Sequence, residues 1–453
     1  MNPKISRQKF LKDVSIITIG ILAFSNMLIA AEKGITRLSK IIPLVNDPKG
    51  ILRLMEGFKY KIISKKGQLM SDGLTVPDHA DGMASFKGKG DNIILIRNHE
   101  IGHFKTIERL LDKNPMQKNK KYINQFSDLM YDQGNNKNPC GGGTSTIVYN
   151  PNTQSVETEY LSLAGTLVNC GGGITPWNTW ITCEETVALK DGALTENHGY
   201  NFEVIPSETV ELNNAIPLKA MGRFRHEALA IDPKTGIAYQ TEDRTDGLIY
   251  RFIPNVKQQY DKGGKLQALI IKDIKRADTR NWKKNIFTIN KKYNIEWLNL
   301  KDIDNPKDDL RYRAANAGAA FFARPEGMWY DKNIIYFTCT SGGPKKLGQI
   351  WKIDVKNQTL ELMFESHNSD LMKMCDNITI APWGDVIICE DGKGKDRLIG
   401  VKPNGKTYVI AENYLNSSEF AGVNFSPNGS ILFVNIYSPT MTMAITGPWK
   451  EIT

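Results

Sequence analysis

The sequence predicts an all-β protein. From about residue 58 onward, short runs rich in Ile, Val, Tyr, Phe and Thr are separated by turns that contain Pro, Asn, Asp or Gly. Long amphipathic helical periods are scarce. A unit of apolar strand, turn and second apolar strand recurs, for example at residues 229–239, 380–388 and 425–433. Four-stranded units that recur at roughly 40 to 50 residues are typical of β-propeller blades.

Two regions interrupt this pattern. Residues 103–140 have an excess of Asn, Lys and Gln, and residues 255–318 are rich in Lys and Asn. We expect inserted loops or short helices in both regions, with the second placed to cover one mouth of the ring. The runs 433–436 and 444–449 predict the strand pair that joins the last blade to the first.

The composition is that of a large globular domain. The 453 residues are 41% hydrophobic and 24% charged, which excludes a collagenous, coiled-coil or wholly disordered chain. The net charge of +9 is a modest excess that attracts anions without selecting one kind. Because aromatic residues are not interleaved with the basic clusters, we expect no nucleic-acid partner.

The N-terminal segment has the order of an export signal. Residues 1–12 carry four basic residues and no acid, and residues 14–31 are apolar and uncharged. Residues 6–12 are similar to a twin-arginine signal, except that Gln8 replaces the second arginine, and Ile29-Ala30-Ala31 is a poor cleavage site. We therefore expect residues 1–31 to be an export signal or a membrane anchor, residues 32–56 a linker, and residues 57–453 the propeller domain. The predicted location is periplasmic or extracellular, with the export machinery as a partner and membrane contact only through the N-terminal segment.

Several common catalytic and metal motifs are absent from the sequence. The six cysteines form no C-x-x-C pair, and neither H-E-x-x-H nor G-x-S-x-G occurs, which disfavours a zinc ribbon, a zincin and an α/β-hydrolase. The glycine-rich strings 140–144 and 169–177 are not P-loops. Such strings allow the backbone to approach a metal or an anion, or form a tight loop at the hub of a propeller.

The strongest chemical signal is a set of acidic residues at the ends of apolar strands. In a propeller, equivalent strand ends of successive blades converge on the axis, so these acids would meet at one mouth of the central channel. The residues are Glu100, the pairs Glu184-Glu185, Glu242-Asp243 and Glu390-Asp391, and, in related settings, Glu227, Glu326, Asp376 and Asn377.

Carboxylates gathered in this way need compensation. Two of them about 4 Å apart repel by about 4 kcal/mol at an effective dielectric near ~20, so they must be protonated or neutralised by cations. Oxygen ligands from many chain positions suit Ca²⁺, whereas a thiolate among them selects a transition metal. The alternative interpretation is that each acidic pair caps its strand and faces solvent. Four acidic strand ends at like places in the repeat, three of them pairs, favour the shared cation site.

Taken together, the motifs resemble those of the PhoX family of bacterial alkaline phosphatases. The resemblance runs from residue 57 to residue 449, nearly all of the chain after the leader. The motifs that carry it include Arg97-Asn98-His99-Glu100, Asn169-Cys170, Thr182-Cys183-Glu184-Glu185-Thr186, His226-Glu227-Ala228, Arg324-Pro325-Glu326-Gly327, Asp376-Asn377 and Cys389-Glu390-Asp391-Gly392.

The resemblance implies a six-bladed propeller that acts as an exported phosphomonoesterase. It further implies two Fe³⁺ ions and three Ca²⁺ ions around a bridging oxo group, with a metal-bound oxygen as the nucleophile. Small-molecule phosphate esters would be the substrates, and the protein is expected to be a monomer.

The resemblance also assigns roles to individual residues. Cys170 would be the thiolate on iron, and Arg324 would face the phosphoryl oxygens of the substrate. A planar, always-charged guanidinium suits a phosphoryl group better than an ammonium group does. The metal ligands would be Glu100, Glu185, Glu227 and Glu326, with Glu184, Glu242, Asp376, Asn377, Glu390 and Asp391 as further candidates.

Two other functions fit the residues. One is a calcium-dependent propeller lactonase or esterase, which holds Ca²⁺ at the channel mouth with acids and amides. The other is a non-catalytic envelope propeller that binds a protein or a glycan, and it predicts no stoichiometric iron.

Overall fold

The computed structural model describes residues 42–102, 112–135 and 138–452. The predicted export signal or anchor at residues 1–31 lies outside the described residues. Residues 44–449 form one compact unit. Within the part of the chain that the structure describes, no helix combines the length and the apolar character needed to cross a bilayer.

Strands dominate this unit. The strands of its first half are β1 (Leu44–Asn46), β2 (Leu52–Met55), β3 (Lys59–Lys65), β4 (Ala80–Lys87), β5 (Ile93–His99), β6 (Gly142–Asn150), β7 (Ser155–Thr166), β8 (Asn169–Ile174), β9 (Trp180–Glu184), β10 (Asn201–Val204), β11 (His226–Ile231), β12 (Ala238–Glu242) and β13 (Ile249–Pro254). Those of its second half are β14 (Gly264–Ile271), β15 (Lys292–Asn299), β16 (Pro325–Asp331), β17 (Ile334–Cys339), β18 (Gln349–Asp354), β19 (Thr359–Glu365), β20 (Cys375–Ile380), β21 (Val386–Glu390), β22 (Arg397–Val401), β23 (Thr407–Asn413), β24 (Phe420–Phe425), β25 (Leu432–Ile436) and β26 (Met441–Thr446).

Helices are few and short. The α-helices within the described residues are α1 (Lys120–Phe126) and α2 (Leu310–Asn316). Short 3-10 helices lie at Pro115–Lys118, Ser127–Leu129, Lys219–Met221, Tyr260–Lys262 and Trp449–Glu451.

The strands form five antiparallel sheets. Their orders are β1-β2-β23-β22-β21-β20, β4-β5-β6-β7, β8-β9-β10, β11-β12-β13-β14-β15-β19-β18-β17-β16 and β24-β25-β26-β3. In the last of these, the early strand β3 pairs with the late strand β26, in a register that places Lys59 opposite Thr446 and Lys65 opposite Met441.

Six strands line the middle of the unit, and we call them the inner strands. β4 contacts β8, β8 contacts β11, β11 contacts β16, β16 contacts β20, β20 contacts β24, and β24 contacts β4 again. The sheets extend outward from this closed cycle. The prediction of an all-β, propeller-like fold is therefore confirmed.

The hydrophobic core lies between the faces of neighbouring sheets. Along β17, Ile335, Phe337 and Cys339 are fully buried, as the two-residue period of a strand requires. The ring of Phe337 packs against the buried Trp351, which also contacts Phe322 edge-on. Aromatic pairs of this kind add to the stabilisation that burial alone gives.

Two regions contain more regular structure than the sequence predicts. The expected linker at residues 32–56 contains β1 and β2, and β2 pairs with β23. The expected insertion at residues 255–318 contains β14, β15 and α2. In β15, Tyr293 and Ile295 are buried while Lys292, Asn294 and Glu296 are exposed, so polar residues on the solvent face hide the strand pattern.

A buried ion pair connects two of the sheets. The guanidinium of Arg97, on β5, is fully buried and donates to Glu159 Oε1 at 2.9 Å. It also donates to the hydroxyls of Ser145, Ser64 and Thr442, the last two on β3 and β26. The network thus joins the sheet of β4–β7 to the sheet of β24–β26 and β3.

The variant Arg97→Met should lower the free energy of unfolding by about 3–5 kcal/mol, because it leaves the Glu159 carboxylate buried without its partner. The control is Arg53→Met, which breaks the more exposed pair with Glu412 and should cost less than about 1 kcal/mol. Denaturant-induced unfolding measures both values. Equal losses in the two variants would contradict the role assigned to Arg97.

Candidate metal centre

Each inner strand presents its second residue toward its counterparts in the cycle. Five of these six residues are ionisable, and their carboxyl and thiol groups lie close enough to perturb one another electrostatically. They are Asp81, Cys170, Glu227, Glu326 and Asp376, with Ala421 in the sixth position.

A β-bulge or similar irregularity includes or follows this position in every inner strand. The register with the neighbouring strand shifts between the first and fourth residues of β4, β8, β11, β16 and β20, and between the second and fifth residues of β24. A bulge re-aims a side chain and is common beside functional sites. It explains why the second residue of each inner strand departs from the regular alternation of the strand.

Small residues within the bulge let the inner strands approach one another. A Cβ atom on Gly82 would lie 2.6 Å from the carbonyl oxygen of Cys170, and one on Gly327 would lie 2.5 Å from that of Asp376. Neither space accepts a side chain. In β20 the same place is taken by Asn377, whose Oδ1 accepts from the backbone N–H of Gly422 and whose Nδ2 donates to Asp376 Oδ1.

A second set of residues follows the end of the strand that pairs with each inner strand. Each of these residues donates its backbone N–H, at 2.8–3.2 Å, to the carbonyl of the residue just before the inner strand begins. The donors are Glu100, Glu185, Asp243, Thr340, Asp391 and Tyr437, and the respective acceptors are His79, Val168, Arg225, Arg324, Met374 and Glu419.

The carboxyl groups from the two sets repel one another. Burial, reinforced by neighbouring carboxylates, raises the pKa well above its ordinary value in Asp81, Glu185, Glu227, Glu326, Asp376 and Glu419. Burial also raises the pKa of Glu100, to about 6, although Tyr437 donates to its Oε2 at 2.6 Å and favours the charged form. Such a group of acids is stable only when protons or cations compensate its charge.

Cys170 lies within this group. Its Sγ donates to Glu227 Oε2 at 2.9 Å, and burial followed by the charge of Glu227 raises the pKa of the thiol. One ligand atom each from Cys170, Glu185 and Glu227 lies within 4.8 Å of the others. A single cation could therefore contact all three.

Two arginines border the acids. Arg324, predicted to bind the substrate, donates to both carboxylate oxygens of Asp243 at 3.0 and 3.2 Å and forms an ion pair with Glu326. Arg225, which the sequence analysis did not select, forms an ion pair with Glu185. The two side chains are 29% and 31% exposed, so solvent reaches both.

Three of the predicted ligands, Glu184, Glu242 and Glu390, have hydrogen-bond or ion-pair partners outside this group. Glu184 accepts from His198 and from three backbone N–H groups. Glu242 accepts from Tyr250 and faces Arg311, and Glu390 is paired with Arg397. In each acidic pair the first acid is the final residue of its strand, and its side chain is buried within the packing of the sheets. The second acid follows the strand, and its side chain lies toward the centre.

The structure brings together most of the other predicted residues. They are Glu100, Cys170, Glu185, Glu227, Glu326, Asp376, Asn377 and Asp391. Asp243 also lies here; it belongs to a predicted strand-end pair but was not predicted to bind metal. Asp81, Glu419 and Tyr437 lie here as well, and no strand-end pattern marked them. A sequence pattern could have identified Asp81 as a site residue. An acid or cysteine followed by a small residue and an apolar one recurs at Asp81-Gly82-Met83, Cys170-Gly171-Gly172, Glu227-Ala228-Leu229 and Glu326-Gly327-Met328.

These residues fit the metals that the resemblance implies. Asp81 Oδ1 is buried and has no hydrogen-bond partner among the described residues, which leaves a lone pair for a cation. The many carboxylate oxygens and the Asn377 amide suit Ca²⁺, and the single sulfur of Cys170 suits a transition metal such as iron.

A comparison with protein families decides the relationship. The family described as alkaline phosphatase PhoX matches residues 39–440. The chain belongs to the PhoX family. The match spans the whole set of strand-end residues of this PhoX chain, from Asp81 to Tyr437. No curated protein sequence matches the chain.

Several solved structures resemble this PhoX chain distantly. A gluconolactonase from Xanthomonas campestris has a TM-score of 0.46 at 9% identity, covering 90% of this chain and 97% of its own. A luciferin-regenerating enzyme has a TM-score of 0.42 at 10% identity, with coverages of 86% and 96%. The WD40 β-propeller domain of Doa1 has a TM-score of 0.43 at 8% identity, with coverages of 86% and 98%. Similarities of this size have no bearing on function.

The chelator-treated protein should lose stability as pH rises. A carboxyl whose pKa is raised by folding retains its proton where the unfolded chain has lost it, so its contribution is complete below the ordinary value of 4.5 and is lost as pH rises through about 6 for Glu100. Thermal unfolding across this range measures the slope, and added Ca²⁺ should abolish it. A chelated protein whose stability is flat or increases with pH would contradict the crowding of these acids.

Proposed function

We propose that this chain is an exported, metal-dependent alkaline phosphatase that hydrolyses phosphomonoesters and releases inorganic phosphate. The observation that carries the proposal is the group of buried acids and one thiol, bordered by two solvent-accessible arginines. Membership of the PhoX family supports the reaction class. A six-bladed propeller is the architecture we infer, and the closed cycle of six inner strands supports it.

The metal ions of the proposal are two Fe³⁺ and three Ca²⁺ around a bridging oxo group. When bound, they supply Lewis acidity toward phosphoryl oxygens and a means of ionising water near neutral pH. Cys170 would bind iron through its sulfur. The oxygen ligands would be Asp81, Glu100, Glu185, Glu227, Glu326, Asp376, Asn377 and Asp391.

Arg324 would orient the phosphoryl group. Its Nε and Nη2 are held by Asp243, whereas Nη1 has no hydrogen-bond partner among the described residues and remains available to a substrate oxygen. Phosphoryl transfer depends on positioning and charge neutralisation more than on covalent chemistry with the protein. Asp243 and Glu326 thus fix the guanidinium before the substrate arrives, which limits the entropy lost on binding.

Arg225 would supply a second positive charge at the same opening. Its Nε donates to the backbone carbonyl of Glu185, and the rest of the guanidinium faces the Glu185 carboxylate. Tyr437 would orient Glu100 through the hydrogen bond to Oε2. These residues form the part of the site that the chain itself provides.

Arg324→Ala should reduce phosphatase activity about 10²-fold or more, since a missing charged donor to a transferring phosphoryl group costs about 2.7–4 kcal/mol. The iron and calcium contents should stay at the wild-type level. Arg244→Ala is the matched control, because Arg244 pairs with Asp308 and has no role in the proposal. Loss of metal together with activity in Arg324→Ala would reject the division of roles.

Cys170→Ser should remove iron, because a hydroxyl does not replace a thiolate as a soft ligand. Elemental analysis of the purified variant provides the measurement. Cys183→Ser is the control, since Cys183 is equally buried but packs within a hydrophobic cluster. Unchanged iron in Cys170→Ser would argue against thiolate ligation.

The function itself is tested with two substrates on one preparation. The proposal predicts hydrolysis of p-nitrophenyl phosphate together with stoichiometric iron. Turnover of a simple lactone without phosphatase activity would favour the calcium-dependent lactonase instead. Protein without iron and without either activity would favour a binding propeller.

A further inference from the structure

A second cluster of metal-binding side chains lies outside the candidate centre. It consists of Asp132, Cys140 and His198, whose ligand atoms lie within 4.8 Å of one another. His198 Nε2 is 3.2 Å from Asp132 Oδ2 and 3.8 Å from Cys140 Sγ. Asp132 and His198 are fully buried, and Cys140 is 6% exposed.

These separations fit the edges of a tetrahedral site. With metal–sulfur distances of about 2.3 Å and metal–nitrogen or metal–oxygen distances of about 2.0–2.2 Å, the edges of a zinc tetrahedron are about 3.4–3.6 Å. The observed 3.2 and 3.8 Å bracket that range. Zinc binds sulfur, nitrogen and oxygen donors, and with three protein ligands its fourth position would be filled by a water molecule.

The other ring nitrogen of His198 has the partner that metal-bound histidines usually have. Nδ1 lies 2.7 Å from Glu184 Oε1, and Glu184 is itself fixed by the backbone N–H groups of Leu167 and Gly199. A carboxylate that accepts from the non-ligating nitrogen fixes the tautomer and leaves Nε2 for the metal. Glu184 lies away from the main centre, and its role in this cluster is to orient His198.

When no metal is bound, a proton lies on Nε2 of His198. Burial opposes the charge on His198, but Glu184 and Asp132 outweigh it and raise the pKa of the imidazole to about 12. Asp132 also accepts from the backbone N–H groups of Thr195 and Glu196. A dication would replace the proton at Nε2 and the proton of Cys140, and so neutralise the same carboxylates while adding a bond to sulfur.

The surroundings indicate a structural role. Cys140 packs with Leu167 and Leu194, and the ring of Tyr131 meets His198 edge-on. Substrate therefore has no access to the three ligands. The cluster connects the loop before β6, which holds Asp132 and Cys140, with the loop between β9 and β10, which holds His198. His198 in turn contacts Glu184, the residue before Glu185.

We propose that Asp132, Cys140 and His198 bind one structural Zn²⁺ ion that joins these two loops. The proposal stands independently of the phosphatase reaction, since none of the three residues belongs to the main centre. In that arrangement the zinc ion holds His198, His198 holds Glu184, and Glu184 fixes the end of β9 from which Glu185 projects.

The test uses the full chain in a Cys170→Ser background, which removes the thiol of the main centre. Protein stripped of metal is titrated with Co²⁺ and then with Zn²⁺. We expect a thiolate-to-cobalt charge-transfer band that saturates and is displaced by zinc; the oxygen ligands of the main centre do not contribute to this band. Adding Cys140→Ser should abolish the band and weaken zinc binding at least about tenfold, whereas adding Cys183→Ser should change neither.

A second measurement covers the case in which the Cys140 variant does not fold. In the Cys170→Ser protein, Zn²⁺ should slow alkylation of Cys140 in mild denaturant by at least about tenfold, measured by mass spectrometry of the Cys140 peptide. A cobalt band that survives in Cys140→Ser, no band in the Cys170→Ser protein, or alkylation of Cys140 that zinc does not slow would each overturn the proposal.

Discussion

The repulsion among buried carboxyl groups is the constraint on which the rest of this structure depends. Each inner strand except β24 contributes an ionisable side chain near its start, and the neighbouring strands add Glu100, Glu185, Asp243 and Asp391. Burial raises the free-energy cost of each negative charge, and a nearby positive charge lowers that cost. The group can therefore exist only where protons or cations compensate its charge.

The backbone builds this group by repeating one local device. A bulge at the start of the inner strand turns a side chain toward the middle, and a small residue lets the next inner strand approach. A backbone hydrogen bond joins the start of the inner strand to the end of its neighbour. Because the device uses backbone atoms, the side chain at each place is free to vary. The second residue is therefore an acid in four inner strands, a cysteine in β8 and an alanine in β24, without a change of fold.

The sequence predicts the class of the fold and the presence of the acids, but not which acid of a pair turns inward. Glu184 and Glu185 look equivalent in the sequence, and only the register of β9 decides that Glu184 reaches His198 while Glu185 reaches Cys170. Asp81 and Glu419 are not preceded by the apolar strand that marked the other acids, since they lie at the start of an inner strand or just before it. The strand β15 was hidden by the Lys, Asn and Glu residues of its exposed face, which composition cannot distinguish from a loop.

The pairing of β3 with β26 has a consequence for how the molecule is made. These strands are separated by almost the whole length of the unit, so the ring cannot close until the last strands have left the ribosome. Contacts between residues so distant in sequence make folding slow. During that interval the acids of the early strands have no complete set of neighbours, and the full group of acids forms only after β26 has paired with β3.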